Sequence, residues 1–166
     1  MKYSLIRYYY TQLWKVSSPD HNVATFFKPM FFEFPEDGET KNDIERNIML
    51  GESLKLSPMI NPENNANEEF YFPAGQWCNI FDGKCETGGT KVNLNTQRNH
   101  LNLHLRAGHI IPYQRAAMFN ILKTYDLKDV HTDLYVNLDT EKKASGWIRF
   151  DDGESVPDLQ NNMPSI

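Results

Sequence analysis

Four carboxylates cluster within seven positions of the chain, so acid–base chemistry is the first function to weigh. Glu33, Glu36, Asp37 and Glu39 follow a run of phenylalanines. Glycoside hydrolysis needs two carboxyl groups held roughly 5–9 Å apart, one of them with a raised pKa. Side chains of one exposed loop share the same solvent, and the spacing gives no reason for two different pKa values. The sequence therefore favours a solvated loop over a catalytic pair.

Three histidines lie in and just after one predicted strand, where a metal site is the next function to weigh. His100 and His104 fall on the same strand face, and His109 follows. A zinc site needs three or four converging ligands, and the second ring nitrogen of each histidine is usually held by another group. Neither a Cys-x-x-Cys pair nor a helical His-x-x-x-His accompanies them. We predict rim or surface histidines and no metal ligands.

Other site signals are weaker. The acidic segment 151–154 (Asp-Asp-Gly-Glu) lacks the twelve-residue ligand spacing of an EF-hand and predicts a hairpin turn. The sequence contains neither a Gly-x-Ser-x-Gly motif nor a phosphate-binding glycine loop. Trp77, Phe81 and Trp147 could stack on a sugar ring, but aromatic residues at strand spacing more often belong to a core. No cofactor is predicted.

Composition limits the class of protein. The 166 residues carry 22 Asp and Glu against 17 Lys and Arg, a net charge of −5, which argues against a nucleic-acid partner. No apolar run approaches the roughly 18 residues of a membrane span, and a complete (β/α)₈ barrel needs about 250 residues. Two cysteines exclude a disulfide-built scaffold. Cys78 and Cys85 are close enough to pair in an oxidising compartment, and two free thiols are equally allowed.

An amphipathic helix is predicted at the start of the chain. Apolar side chains recur there at helical spacing without an intervening proline or glycine. The Ser-Ser-Pro-Asp segment at 17–20 ends the pattern, because proline cannot continue the hydrogen-bond ladder. The apolar positions are Leu5, Tyr9, Leu13 and Val16.

Three further elements are predicted before residue 60. The nearly continuous apolar run 26–34 fits a strand buried on both faces, as in a parallel sheet. A short helix is predicted over 42–49, with Gly51 as its C-cap. Residues 53–60 again have the composition of a strand.

The rest of the chain is β-rich. Gly-containing dipeptides at 82–83 and 88–89 readily adopt positive φ and mark turns. Leucines alternate with polar residues over 101–105, which predicts a half-buried strand. Short strands separated by turn signals are typical of a β-sandwich. The other predicted strands are 70–73, 77–81, 133–139 and 146–150.

Six segments, in the same order along the chain, resemble the C-terminal portion of glycoside hydrolase family 31, the α-glucosidase family. One such segment alone would be a weak signal, but six in order make a specific match. The segments are 2–11 (KYSLIRYYYT), 28–37 (KPMFFEFPED), 50–60 (LGESLKLSPMI), 71–77 (YFPAGQW), 103–112 (LHLRAGHIIP) and 146–155 (GWIRFDDGES).

The resemblance implies a mainly β chain with three parts. Residues 1–60 would be the end of the catalytic (β/α)₈ barrel, 61–114 a proximal β-sandwich and 115–166 the truncated start of a distal β-sandwich. The run 26–34 would lie near the eighth barrel strand, and the loop after it near the face where barrel active sites form. The aspartate nucleophile and the aspartate acid/base of the family lie on earlier barrel strands. Neither has a counterpart here, so we assign no catalytic, substrate-binding or metal-binding residue to this chain.

The expected function is therefore that of a C-terminal part of a retaining α-glucosidase. The chain would be inactive alone, and its full-length parent would act on an α-glucoside or oligosaccharide. The alternative is a non-catalytic β-sandwich that binds carbohydrate or has a structural role. The resemblance is compatible with a secretory or lysosomal route, although residues 1–16, interrupted by Arg7 and Lys15, do not form a signal peptide. The compartment is left open.

The chain also departs from the family pattern. Lys28 replaces an arginine, and Glu45 and Asn47 replace an aspartate and a glutamine. Lys55 stands where a buried leucine is usual. A charge at a buried strand position costs several kcal/mol unless it is paired or reaches solvent. These changes indicate either a diverged copy of the family sequence or relaxed selection on a fragment.

Overall fold

The structure is a computed structural model that describes residues 2–18, 25–60, 67–97, 101–119 and 121–150. These residues form ten β-strands and one α-helix, together with short 3₁₀ turns. The predicted mainly β class is confirmed. The strands are β1 (Phe27–Pro29), β2 (Ile48–Leu50), β3 (Leu54–Ser57), β4 (Asn67–Phe72), β5 (Gln76–Asn79), β6 (Cys85–Thr87), β7 (Thr90–Asn95), β8 (Asn102–Arg106), β9 (His109–Gln114) and β10 (Thr132–Asn137), and the helix is α1 (Ile6–Ser17).

The described residues divide into two compact units. The central unit consists of the described parts of Phe26–His109 and Asn137–Ala144. The terminal unit consists of the described parts of Met1–Thr25, Ile110–Val136 and Ser145–Ile166.

The central unit is built on a six-stranded antiparallel sheet with the order β1-β2-β3-β8-β5-β6. The sheet combines strands from both sides of residue 60. A second, two-stranded sheet pairs β4 with β7, also antiparallel.

The core of the central unit combines side chains from the turn after β1 and from β2, β4, β5 and β7. Along β4 every second side chain is buried, which is the period-2 pattern of a strand with one face on a core. Each large side chain removed from water contributes about 1.5–3 kcal/mol. The buried cluster is Met30, Met49, Phe70, Phe72, Trp77 and Leu94.

Two turns of the central unit require glycine, as the sequence predicts. Gly83 (φ 73°) and Gly89 (φ 86°) adopt the left-handed conformation that side chains disfavour. Glycine is required at Gly88 for a different reason. A Cβ atom there would lie 1.8 Å from the carbonyl oxygen of Pro73, so only glycine allows the two backbones to approach.

The terminal unit confirms the predicted helix but corrects its buried face. Leu13 is 54% exposed, whereas Tyr8 and Trp14 are buried. The segment around Arg149 packs against α1. The Arg149 amide donates to Thr11 Oγ1 at 2.9 Å, and its guanidinium lies 5.1 Å from the Trp14 ring centroid. These contacts bury helix positions that the spacing of apolar residues in the sequence does not predict to be buried.

A small sheet of β9 and β10 and a 3₁₀ turn (Thr124–Asp129) complete the terminal unit. Gln114 Nε2 donates to the carbonyl oxygens of Leu127 and Val130, at 2.9 and 2.8 Å, and so holds that turn against β9. The predicted strand over 133–139 is confirmed as β10.

The phenylalanine-rich run 26–34 is not the long buried strand that the sequence predicts. It forms only the three residues of β1, paired antiparallel with β2, and then a 3₁₀ turn over Met30–Phe32. Pro29 lacks a backbone donor at this point, and the Glu33 amide bonds to the Met30 carbonyl oxygen at 3.0 Å instead of continuing the ladder. The expectation of a parallel sheet here is wrong.

The helix predicted over 42–49 is also wrong. Two 3₁₀ turns, Gly38–Lys41 and Ile44–Arg46, occupy this region before β2 begins. Asp43 lies between them in the left-handed conformation (φ 47°), which breaks helical hydrogen bonding. Gly51 is not a helix cap but lies in the turn between β2 and β3.

The strand predicted over 146–150 is reduced to isolated bridges at Ser145 and Trp147. Gly146 explains the irregular backbone, because a Cβ atom at this residue would lie 2.2 Å from the Ile110 carbonyl oxygen. The close approach of two backbones replaces a regular ladder.

Candidate functional site

The acidic loop after β1 is anchored through Glu33. Lys28 Nζ donates to Glu33 Oε2 at 2.7 Å, and Arg106 Nη1 of β8 donates to Oε1 at 3.0 Å. The Arg106 guanidinium also lies 4.4 Å from the centroid of the Phe34 ring. These side chains are only 12–30% exposed, so the ion pairs are less screened than pairs on an open surface. Glu33 is therefore a structural anchor whose two oxygens are both occupied.

Asp37 is held in the same way from β4. Tyr71 Oη donates to Asp37 Oδ2 at 2.6 Å, and the amide of Glu39 donates to Oδ1 at 3.1 Å, which caps a 3₁₀ turn. Burial, with the hydrogen bond to Asp37 as a second cause, raises the pKa of Tyr71 to about 12. The phenol therefore stays protonated as a donor at any ordinary pH.

The four clustered carboxylates thus fall into two groups. Glu33 and Asp37 are partly buried and bonded to the sheets, whereas Glu36 and Glu39 are exposed. A retaining or inverting pair requires two carboxyl groups that face one substrate from opposite sides. The contacts of Glu33 and Asp37 fix the loop and give neither carboxylate an acid–base role.

His104 is not the rim residue that alternation predicts. It is 1% exposed, because β8 is buried on both faces from Asn102 to Leu105. Its ring meets the Phe72 ring edge to face, with 4.9 Å between centroids. Burial, assisted by the charge of Lys55, lowers the pKa of His104 to about 3, so the imidazole is neutral at physiological pH.

The other predicted histidines do not join it in a metal site. His109 Nδ1 lies 3.1 Å from Ser53 Oγ, and His100 lies outside the described residues. Across the described ranges, no group of three or more His, Cys, Asp or Glu side chains is arranged to hold a metal ion. The acidic segment 151–154 also lies outside the described residues.

The three candidate stacking aromatics have different surroundings. Trp77 is fully buried and donates from Nε1 to the Pro73 carbonyl oxygen at 2.9 Å, so its predicted core position is confirmed. Phe81 is 40% exposed, and Trp147 is half-buried with Lys15 Nζ 5.9 Å from its ring centroid. Trp77 has no face available to a sugar.

A disulfide joins Cys78 of β5 to Cys85 of β6, the pairing that the sequence leaves open. The two residues are direct partners in the strand register. Cys85 is exposed, and the neighbouring Lys84, which is exposed, forms an ion pair with the half-buried Glu86 at 2.9 Å. The bond ties the outer strand β6 to the rest of the sheet.

Two anchoring residues were not singled out from the sequence. Arg106 and Tyr71 supply the partners of Glu33 and Asp37. Both lie inside the family-like segments 103–112 and 71–77, and that position is the signal that could have identified them.

The comparison with known families settles the affiliation. Residues 23–111 match the glycosyl hydrolase family 31 C-terminal domain, which is more than half of the chain. The chain belongs to glycosyl hydrolase family 31. The match contains both anchoring contacts, Glu33–Arg106 and Asp37–Tyr71.

Curated relatives of this family 31 chain match nearly its whole length. A probable maltase-glucoamylase 2 from Homo sapiens is 33% identical over 162 residues, 96% of this chain. Lysosomal alpha-glucosidase from Bos taurus is 32% identical over 94% of the chain, and alpha-glucosidase from Hordeum vulgare is 30% identical over 93%. The chain spans only 6%, 17% and 17% of these relatives, respectively.

Solved structures show the same fold. A family 31 dextranase from Flavobacterium johnsoniae, in complex with glucose, superposes with a TM-score of 0.76 at 21% identity, over 93% of this chain and 18% of that one. A cycloalternan-forming enzyme from Listeria monocytogenes gives a TM-score of 0.76 at 22% identity, over 99% and 14%. Among the described residues of this family 31 chain, no helix has the length and apolar character to cross a membrane.

Proposed function

We propose that this chain is the C-terminal β-domain of an enzyme that hydrolyses α-glucosides with retention, and that a separate catalytic domain supplies the two reacting carboxyl groups. The family assignment, together with relatives named as alpha-glucosidases, supports the reaction class. The observation that carries the domain's role is the double anchoring of Glu33, which is a fixed support and not a free acid.

The domain would act by holding the loop 33–39 in a fixed position. Arg106 binds Glu33 and Tyr71 binds Asp37, from two different sheets, so a shift of the loop would break at least one of these contacts. Preorganised loops at the edge of an active site lower the cost of orienting a substrate. In the parent enzyme, we expect this loop to border the sugar-binding face of the barrel.

An apolar surface beside the loop suits contact with the catalytic domain. Phe27 of β1 and Phe32 of the following turn are 56% and 53% exposed, which is high for phenylalanine. We expect the catalytic domain of the parent enzyme to cover both side chains, since apolar surface is used for protein contacts. We infer that residues 1–60 include the end of the barrel, that 61–114 form the proximal β-sandwich, and that 115–166 begin the distal one.

The substrate of the parent enzyme would be an α-glucoside or an oligosaccharide, and the reaction needs no cofactor. In the retaining mechanism, one carboxylate attacks the anomeric carbon while the second protonates the leaving oxygen, at a separation of about 5–5.5 Å. Neither role falls to a residue of this chain. The alternative of a carbohydrate-binding module is less well supported, because Trp77 is enclosed by the core.

The isolated chain tests this assignment. We expect the purified 166-residue protein to release no 4-nitrophenol from 4-nitrophenyl α-glucoside above the rate in buffer. The matched control is a Glu33→Gln, Asp37→Asn double variant, which removes the two bonded carboxylates of the loop. Turnover by the wild-type chain that the double variant loses would refute the proposal, because it would place the catalytic carboxylates within this domain.

A further inference from the structure

Lys55 is a lysine enclosed in the core of the central unit. It lies in β3 and is 0% exposed. Its Nζ lies 4.3 Å from the ring centroid of Phe72 and 5.5 Å from that of Phe70, and it donates a hydrogen bond to Ser57 Oγ. Within the described part of the chain, no carboxylate is paired with this amine.

The strands packed against Lys55 bring no carboxylate into an ion pair with its amine. Met49 of β2 and His104 of β8 are its direct partners in the sheet. The second sheet brings the two phenylalanines of β4. The acidic residue next along this face of β4, Glu68, is bonded to Arg46 at 2.7 Å.

More distant charges act on His104, the strand neighbour of Lys55. Asp82 raises the pKa of His104, whereas Lys84 lowers it, and both effects are smaller than those of burial and of Lys55. Since His104 stays neutral at ordinary pH, it offers Lys55 no counter-charge.

An ammonium group in this position is unfavourable. Removing a charged amine from water costs several kcal/mol when no carboxylate compensates. One hydroxyl acceptor and two aromatic faces recover only part of that cost. Burial accordingly lowers the pKa of Lys55 from 10.5 to about 7.

We propose that Lys55 makes the central unit proton-sensitive: the closed packing of the two sheets holds the neutral amine, and uptake of a proton by Lys55 favours their separation. Neither the family resemblance nor the proposed function assigns such a role. Lys55 stands where the family resemblance implies a buried leucine, so the resemblance does not account for the amine.

The sign of the pH dependence follows from linkage. In the unfolded chain, the Lys55 amine is protonated below about pH 10.5. In the folded central unit, the same amine is protonated only below about pH 7. Between these values the unfolded chain holds one more proton, so the stability of the closed unit rises with pH. It is lowest below about pH 7 and levels off above about pH 10.5.

Urea unfolding of the full chain, followed by tryptophan fluorescence, tests the proposal from about pH 6 to about pH 10. For the wild type, the unfolding equilibrium constant should fall by up to about tenfold per pH unit within this window. Lys55→Leu and, as a second apolar replacement, Lys55→Met should abolish that fall. Lys41→Met, at an exposed lysine of the same unit, should keep it. Equal pH dependence in the wild type and in both Lys55 variants would overturn the proposal.

Nuclear magnetic resonance of lysine side chains gives a second, direct readout that is independent of unfolding. The Cε signal that disappears in Lys55→Met should titrate in the folded wild type near pH 7, well below the ordinary lysine value of 10.5. Titration of that signal together with the remaining lysines would overturn the proposal even if Lys55→Leu changed stability.

Discussion

Arg106 and Glu33 are 73 residues apart in the sequence, yet Arg106 Nη1 donates to Glu33 Oε1 at 3.0 Å. The same guanidinium lies over the Phe34 ring. The contact joins β8, a strand in the interior of the six-stranded sheet, to the acidic loop that follows β1. It fixes the position of a loop whose own backbone contains no strand and no α-helix, only turns.

Replacing Arg106 by methionine should therefore destabilise the central unit by about 1–3 kcal/mol, because Glu33 loses a charged hydrogen-bond donor while remaining partly buried. Urea unfolding monitored by circular dichroism measures the change. The matched control is Arg115→Met, since the pair formed by Arg115 and Asp133 is more exposed and should contribute less than about 1 kcal/mol. Equal losses in the two variants would show that the Glu33 contact has no special role.

Acid should weaken the fold through His104. Its pKa is about 3 in the folded chain against an ordinary value of 6.5, so the unfolded state binds the extra proton between these values. Stability is then lost as the pH falls from 6.5 towards 3. His104→Leu should remove that loss, whereas His131→Leu, at an exposed histidine, should not. Unfolding midpoints measured across this pH range that decline equally in both variants would contradict the assignment.

Loss of the Cys78–Cys85 bond should cost about 2–3 kcal/mol, the value expected for closing a loop of this length in the unfolded chain. The comparison is urea unfolding of oxidised protein against a Cys78→Ser, Cys85→Ser variant. A reducing agent should lower the midpoint of the wild type and leave the variant unchanged. Two free thiols in protein purified under oxidising conditions would show that the bond does not form.

Gly88 should tolerate no side chain. A Cβ atom would lie 1.8 Å from the Pro73 carbonyl oxygen, and a backbone atom cannot move aside as a side chain can. Gly88→Ala should destabilise the protein by about 2 kcal/mol or more. Gly38→Ala adds the same atom in open space and serves as the control. Thermal midpoints that are lowered equally by the two substitutions would contradict the described backbone approach.

Strands with alternating or strongly apolar composition could be predicted from the sequence, and so could glycine-containing turns. Both depend on local side-chain and backbone preferences, as β10 and Gly83 illustrate. The run 26–34 shows the limit of this reasoning. Its apolar character is consistent with a long strand, but Pro29 and the distant partner of Glu33 decide that the strand ends after three residues.

Burial of polar residues is harder to predict from the sequence than the presence of a strand. His104 alternates with leucines, which indicates a half-buried strand, yet β8 lies between β3 and β5 and is covered on both faces. Whether a strand is interior to its sheet depends on pairings between distant parts of the chain. The same limit applies to the candidate site. The sequence shows the carboxylates, but it does not show that Arg106 and Tyr71 are their partners.

A chimera tests the central claim most directly. In this chimera, the 166-residue sequence replaces the region of Hordeum vulgare alpha-glucosidase that aligns with it, which is 17% of that enzyme. The measured quantity is kcat/KM for the hydrolysis of maltose. A supporting domain that carries no catalytic group should leave hydrolysis within about tenfold of the parent enzyme, and Arg106→Met in the chimera should lower it further. A folded chimera that retains the parent's own catalytic residues but shows no hydrolysis would contradict the account.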